Sequence, residues 1–282
     1  MNALFQQAAA AAKEAGTDNS EASKGFERKV TPAGLTPARF IGYVETGSHV
    51  EQFEGKDKAP ARQVIISFEL NGPDHGNSFE KDGETKTWNN TIHIDMAISQ
   101  NEKSGFYKLF KKMAYGRDAV KSFPQMLGEA FIVKVVHKKS KTSGKDYPVI
   151  KEEGEWTIMA PFQTDPLNGT VTTFDIKEMT EAGRVMLWDS PNQEMWDSIF
   201  IDGTYTKTVN DVEQEISKNF IQNKCLEATD FAGSKLEALV GGLADLPLTL
   251  DNVQEEVEAI LDEVAAPAEA PAADDPLKGL NL

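Results

Sequence analysis

Two stretches of this chain set lysines beside aromatic rings. In the first, Lys108, Lys111, Lys112, Arg117 and Lys121 interleave with Phe106, Tyr107, Phe110 and Tyr115. The second holds Lys134, His137, Lys138, Lys139, Lys141 and Lys145, has no acidic residue before Asp146, and runs into Tyr147. Cations track phosphates and rings stack on bases, each stack contributing about 1–3 kcal/mol, so this pairing is the chemistry that holds an unpaired polynucleotide. Arg39 and Arg62 are further candidates for phosphate, and Tyr43, Phe68 and Trp88 for stacking. The bland alternative is a lysine-rich solvated turn. Phe106, Phe110 and Met113 share one helical stripe with Leu109 and are read as core, whereas Tyr107 and Tyr115 lie off it.

Catalytic patterns are sparse. The four histidines, His49, His75, His93 and His137, stand far apart. His93 and Asp95 would share one face of a strand, a two-ligand fragment where a metal site needs more. Cys225 falls in a predicted helix, where a lone cysteine acts as a small apolar residue. Asn71-Gly72-Pro73 and Lys81-Asp82-Gly83 read as turns, not phosphate loops. The expectation is a non-catalytic protein with no metal and no cofactor.

Charge is divided along the chain. Residues 26–160 carry 20 Lys+Arg against 18 Asp+Glu, while residues 161–282 carry 7 against 24. A near-neutral front with dense cationic clusters and a strongly acidic rear describes one surface for a polyanion and a tail that repels it. No apolar run approaches the roughly 20 residues of a membrane span. Met1 to Ala15 lacks a charged region ahead of an apolar core, so no signal peptide is expected, and the single cysteine suits a reducing cytoplasm.

These residues need elements to position them. Arg39 to Glu45, Arg62 to Leu70, Thr87 to Asp95, Phe131 to His137, Tyr147 to Ile150 and Trp156 to Met159 have strand composition. Phe106, Leu109, Phe110 and Met113 at i, i+3, i+4 and i+7 predict a helix between the third and fourth strands. This order is that of an OB-like Greek-key β-barrel. The expected organisation is a flexible leader (1–25), the barrel (26–162), an α-rich acidic extension (163–250) and a disordered acidic Ala/Pro-rich tail (251–282). In the extension, a helix starting at Ser190-Pro191 presents Met195, Trp196, Ile199 and Phe200. Asn210 with Glu213 reads as a capping box opening a longer helix through Val212, Ile216, Phe220 and Ile221. Thr170 to Phe174 would pack on the barrel in extended form, and 250–264 would be one more helix. The fold class is therefore mainly β with an α-rich extension.

One run reads Phe40-Ile41-Gly42-Tyr43-Val44-Glu45-Thr46-Gly47-Ser48-His49, then Glu51 and Phe53-Glu54-Gly55-Lys56. It continues through Arg62 to Leu70, Leu127-Gly128-Glu129-Ala130, Val133 to Lys138, Leu187-Trp188-Asp189-Ser190-Pro191 and Glu194-Met195-Trp196-Asp197-Ser198. In this order the segments resemble a phage-encoded family of OB-fold single-stranded DNA-binding proteins, over roughly residues 28–205; Ala97 to Pro124 matches only loosely. The resemblance implies a factor that coats single-stranded DNA during phage replication, recombination and repair in a bacterial cytoplasm. It also implies an acidic tail that regulates the binding groove and docks replication or recombination proteins, or RNA polymerase, through Asp274, Asp275, Leu277, Leu280 and Leu282. The rivals are an OB-containing protein-interaction factor, transcriptional or virion-associated, and, remotest, a divalent-dependent nuclease built on His93 and Asp95.

Overall fold

The structure is a computed structural model. It describes residue 6 and residues 30–241, apart from 54, 82–83, 141–143 and 210–211. Every element below lies in the unit Thr31–Leu282. The expected leader (1–25) and tail (251–282), the helix over 250–264, Asn210 and Lys141 lie outside the described residues.

The protein is mainly β. Its elements are β1 (Gly34–His49), β2 (Ala61–Leu70), a hairpin of β3 (Gly76–Lys81) and β4 (Glu84–Asn89), and β5 (Thr91–Ala97). Helix α1 (Gly105–Ala114) follows, then β6 (Ala130–Lys139), β7 (Asp146–Val149) and β8 (Ile158–Met159). The remainder comprises β9 (Arg184–Met186), α2 (Gln193–Ser198), β10 (Thr204–Val209), β11 (Val212–Ser217), α3 (Phe220–Leu226) and α4 (Lys235–Val240).

The main sheet has seven strands, with the path β8-β6-β1-β2-β5; β7 pairs with β6, and β9 runs parallel to β1. All other pairings in it are antiparallel. Among the described residues β5 and β8, the two ends of the path, do not pair, so the expected closed barrel is an open sheet. Helix α1 packs against both end strands and spans the gap.

Strand β1 organises the rest. Its first half alternates buried and less buried residues, as a strand with one covered face must. From Phe40 to Val44 every residue is buried. Between these regimes Ile41 is an extra residue against β2, and Thr46 is another, so two bulges bend the strand. The first half pairs with β6 and the second with β9. Inward residues Ala38, Phe40, Tyr43, Val64, Ile66, Phe68, Ile92, Phe131 and Val133 join Phe106, Leu109, Met113 and Phe123 in one core. On the opposite face Val44 and Ile65 join Met186, Trp188, Trp196, Ile199, Ile221 and Cys225 in a second. Gly47, at φ +86°, lets this layer approach: a Cβ there would stand 2.4 Å from Ala228 Cβ and 2.6 Å from the Trp188 ring.

The extension differs from the expected α-rich one. Residues 212–217 form a strand, not a helix: β10 and β11 pair from Thr204↔Ser217 to Val209↔Val212, and the helix starts only at Phe220. Val-Glu-Gln-Glu-Ile-Ser has a period of two, and tertiary pairing overrides the capping-box pattern. Helix α2 is capped by Asn192, whose side chain accepts from Met195 N, and not by Ser190. Trp196 and Ile199 are buried, while Phe200 is exposed. Val171–Thr173 pairs with Phe162–Thr164 in an exposed hairpin instead of packing on the sheet.

Residues 176–181 cross the sheet as a strap. Arg39 donates to the carbonyls of Ile176 (2.7 Å), Lys177 (2.9 Å) and Gly128 (2.9 Å) and pairs with Glu178. The fully buried Glu69 carboxylate accepts from Thr180 N, Thr180 Oγ1, Glu181 N, Asn71 Nδ2 and Asn89 Nδ2. Such a carboxylate is satisfied only while the strap is in place. Because the second core is continuous with β1 and β2, Met186→Ala, at a fully buried site, costs about 2–5 kcal/mol. Urea denaturation followed by both far-UV dichroism and tryptophan fluorescence shows one coincident transition; separate transitions would make the second layer an independent unit.

Candidate nucleic-acid interface

The structure sorts the candidate residues into three groups. In the first are rings and cations that the fold itself consumes. Tyr43 is 4% exposed, stacks on Phe123 at 5.7 Å, and donates its hydroxyl to Glu45. Burial first, then the Glu45 charge, drives its pKa upward. Phe68 is fully buried between Phe40 and Phe131. Neither ring can stack on a base, and both expectations are corrected: where the two faces of a strand are both covered, every side chain is interior. Arg39 is spent on the strap. Arg62 donates to Asp189 (2.8 Å) and faces Asp230, and this pairing raises its pKa and lowers that of Asp189. Tyr115, in a left-handed conformation at the end of α1, packs edge-on against Phe131 and Phe162 and carries Arg117 over its ring at 4.1 Å.

The second group is partly engaged. Lys108 pairs with Glu155 (3.2 Å) and Lys134 with Glu152 (2.6 Å). Both carboxylates belong to the turn Lys151 to Trp156, which α1 contacts through Trp156 Nε1 donating to Gly105 O at 2.8 Å. One acidic turn thus neutralises a lysine from each cationic cluster. The clusters are not one uninterrupted trough. These are exposed pairs, worth little to stability, and a polyanion would compete for their cations.

The third group is exposed or half-buried. Lys111 and Lys112 are exposed in the last turn of α1, with Tyr107 half-buried one turn earlier. In β6 the alternation ends after Val136: His137, Lys138 and Lys139 are all exposed, because the strand has run past the body of the sheet. Lys138 stands opposite Tyr147, and Lys139 opposite Asp146. Lys145 is exposed at the same hairpin end, its carbonyl accepting from Ser140 N. Trp88 is half-buried on the β3–β4 hairpin, opposite Asn77. Lys141, Asp274, Asp275, Leu277, Leu280 and Leu282 lie outside the described residues.

Sequence reasoning weighed His93 and Asp95 only as metal ligands. They do share the outer face of β5, but each is already partnered. His93 Nδ1 meets Ser67 Oγ at 2.8 Å, and Asp95 takes the buried Lys224 of α3. Among the described residues no three His, Cys, Asp or Glu side chains gather as a metal site would require, and no helix is long and apolar enough to cross a membrane. Cys225 is buried and its thiol is pushed up to about 12 by burial, the opposite of nucleophile activation. No family model, curated protein or solved structure matches the chain.

The His93 ring yields a pH prediction. Burial, with the Arg184 charge second, pushes its pKa down to about 3, against roughly 6.5 for a free imidazole. Above pH 6.5 the ring is neutral whether folded or unfolded. Below that, only the unfolded chain takes up the proton, so stability falls as pH drops from about 6.5 toward 3. His93→Gln flattens this loss between pH 6.5 and 5 in urea midpoints; parallel profiles for the two proteins would contradict the assignment.

Proposed function

We propose that this protein binds single-stranded DNA without chemistry, as an OB-type module with an integral second layer. Two features support the reading. The strand order β8-β6-β1-β2-β5, with a helix that follows β5 and contacts both end strands, resembles that of a partly open OB barrel. The observation that carries it is the outer end of the β6–β7 hairpin, where exposed Lys138 lies opposite the half-buried Tyr147 and exposed Lys139 opposite Asp146. Exposed cations with a ring opposite one of them match a strand whose phosphates and bases are both accessible. Lys111, Lys112 and Tyr107 of α1 extend the cationic margin, and Lys108 and Lys134 join once the strand displaces Glu155 and Glu152. In this reading the protein coats transient single strands during phage DNA replication, recombination and repair in the host bacterial cytoplasm, and the acidic tail regulates access and docks partners.

One observation favours the rival protein-interaction factor. The hairpin of Phe162–Thr164 and Val171–Thr173 stands exposed and carries Leu167 (94% exposed), Val171 and Phe174. Apolar side chains on a projecting arm are what a protein partner covers. The two readings part on DNA retention. In gel shifts at about 50 and 200 mM salt, the protein retains a single-stranded 30-mer over duplex, and affinity falls with salt through counterion release. Lys138→Ala with Lys139→Ala weakens binding and reduces the log–log salt slope by roughly 1.4, about 0.7 for each lost phosphate contact. No retention, or retention indifferent to salt, transfers the case to the protein-interaction reading.

A further inference from the structure

The outer face of the sheet is roofed at two places, and in the row between them Gly42 and Ser67 are buried while Arg184 and His93 are half-buried. Register sets Arg184 of β9 beside Gly42 of β1, Gly42 beside Ser67 of β2, and Ser67 beside His93 of β5. The row on one side is Met186, Val44, Ile65 and Asp95, covered by the second core and by Lys224. The row on the other side is Arg39, Glu69 and Thr91, crossed by the strap that Arg39 and Glu69 hold. Gly42 has no side chain, and a Cβ there would stand 2.9 Å from Ser67 Cβ. The middle row is therefore a slot, floored by glycine and walled on both sides.

Arg184 lies in this slot, half-buried. Among the described residues its side chain makes no hydrogen bond or ion pair; Glu181 is the carboxylate whose charge reaches it, and burial outweighs that attraction to lower its pKa. A desolvated guanidinium without a hydrogen-bonded counter-charge is costly, and its fork of donors suits an oxyanion. His93 completes the arrangement. Ser67 Oγ lies 2.8 Å from Nδ1, and in the tautomer in which the hydroxyl donates there, the neutral ring carries its proton on Nε2, which has no partner among the described residues.

We propose that the Arg184 guanidinium and the His93 Nε2–H together receive one phosphate group in the slot over Gly42. Its source is a backbone phosphodiester of the bound strand, which rests on the single-strand reading above; free inorganic phosphate is the other source of the same chemistry. The extension thereby does more than cover the sheet, since β9 supplies the cation.

The test uses the full-length protein, with the His93 ring resonance identified through His93→Gln. Inorganic phosphate shifts that resonance in the wild type and leaves it unmoved in Arg184→Gln. Oligo(dT) affinity falls about tenfold in Arg184→Gln, the loss of charge-assisted hydrogen bonds, and the salt slope falls by roughly 0.7. Arg184→Lys keeps the slope and loses part of the affinity. If Arg184→Gln lowers the Tm, the lysine variant carries the comparison, and wild-type affinity with a wild-type phosphate shift overturns the proposal. Oligo(dT) binding untouched by Arg184→Gln, with no phosphate shift, overturns the slot and leaves the single-strand reading standing. An Arg184-dependent phosphate shift with no oligo(dT) complex supports the slot for free phosphate and removes the single-strand reading.

Discussion

Strand β2 is buried on both faces from Gln63 to Leu70, and this constraint shapes everything around it. Val64, Ile66 and Phe68 point into one core, and Ile65, between them, into the other. A strand buried on both sides must be sandwiched, so the chain after residue 183 is a second layer and not an appendage. The bulges at Ile41 and Thr46 let β1 turn from its partner β6 to its partner β9 while keeping both cores sealed. Strap and second layer are then held by polar clamps at opposite ends of the sheet: Glu69 and Arg39 at one, Arg62 with Asp189 and Lys224 with Asp95 at the other.

This construction redistributes the charge seen along the chain. Acidic residues of the rear are not simply a repelling mass, because Glu178, Asp189 and Asp230 engage Arg39 and Arg62 of the front. The exchange runs in reverse at Lys224 and Asp95. What the front retains for a polyanion lies at the margins, on the last turn of α1 and the outer end of β6. On the OB reading proposed above, the face of strands β2 and β5, through which OB folds take oligonucleotides, is reduced to the row at Gly42. Under the proposed single-strand reading, a bound strand engages lysines at the rim and a single phosphate within, with Tyr147, Tyr107 and Trp88 as the rings at hand.

Much of this was legible from residue patterns. The 3.6 period of Phe106, Leu109, Phe110 and Met113 marks α1 because one face of that helix meets the core. The alternation Phe131, Val133, Val135 marks β6 because its other face is open. Where both faces are covered the period vanishes, and the burial of Tyr43 and Phe68 could not be read. The clamps were equally opaque, since Arg39 with Glu178 and Arg62 with Asp189 are separated by more than a hundred residues. At β11, a capping-box pattern and a two-residue period conflicted, and pairing with β10 decided in favour of the strand. Arg184 carried no local signal at all; only the register beside Gly42 makes it notable.

The most direct test is an amide hydrogen-exchange footprint of the full-length protein with and without a single-stranded 30-mer. If a strand lies along the lysine margin and the slot while the second layer stays seated, exchange slows at residues 137–149 and 183–185 and is unchanged across 193–226. Protection confined to other surfaces, or faster exchange across 193–226 as that layer lifts away, would contradict the account.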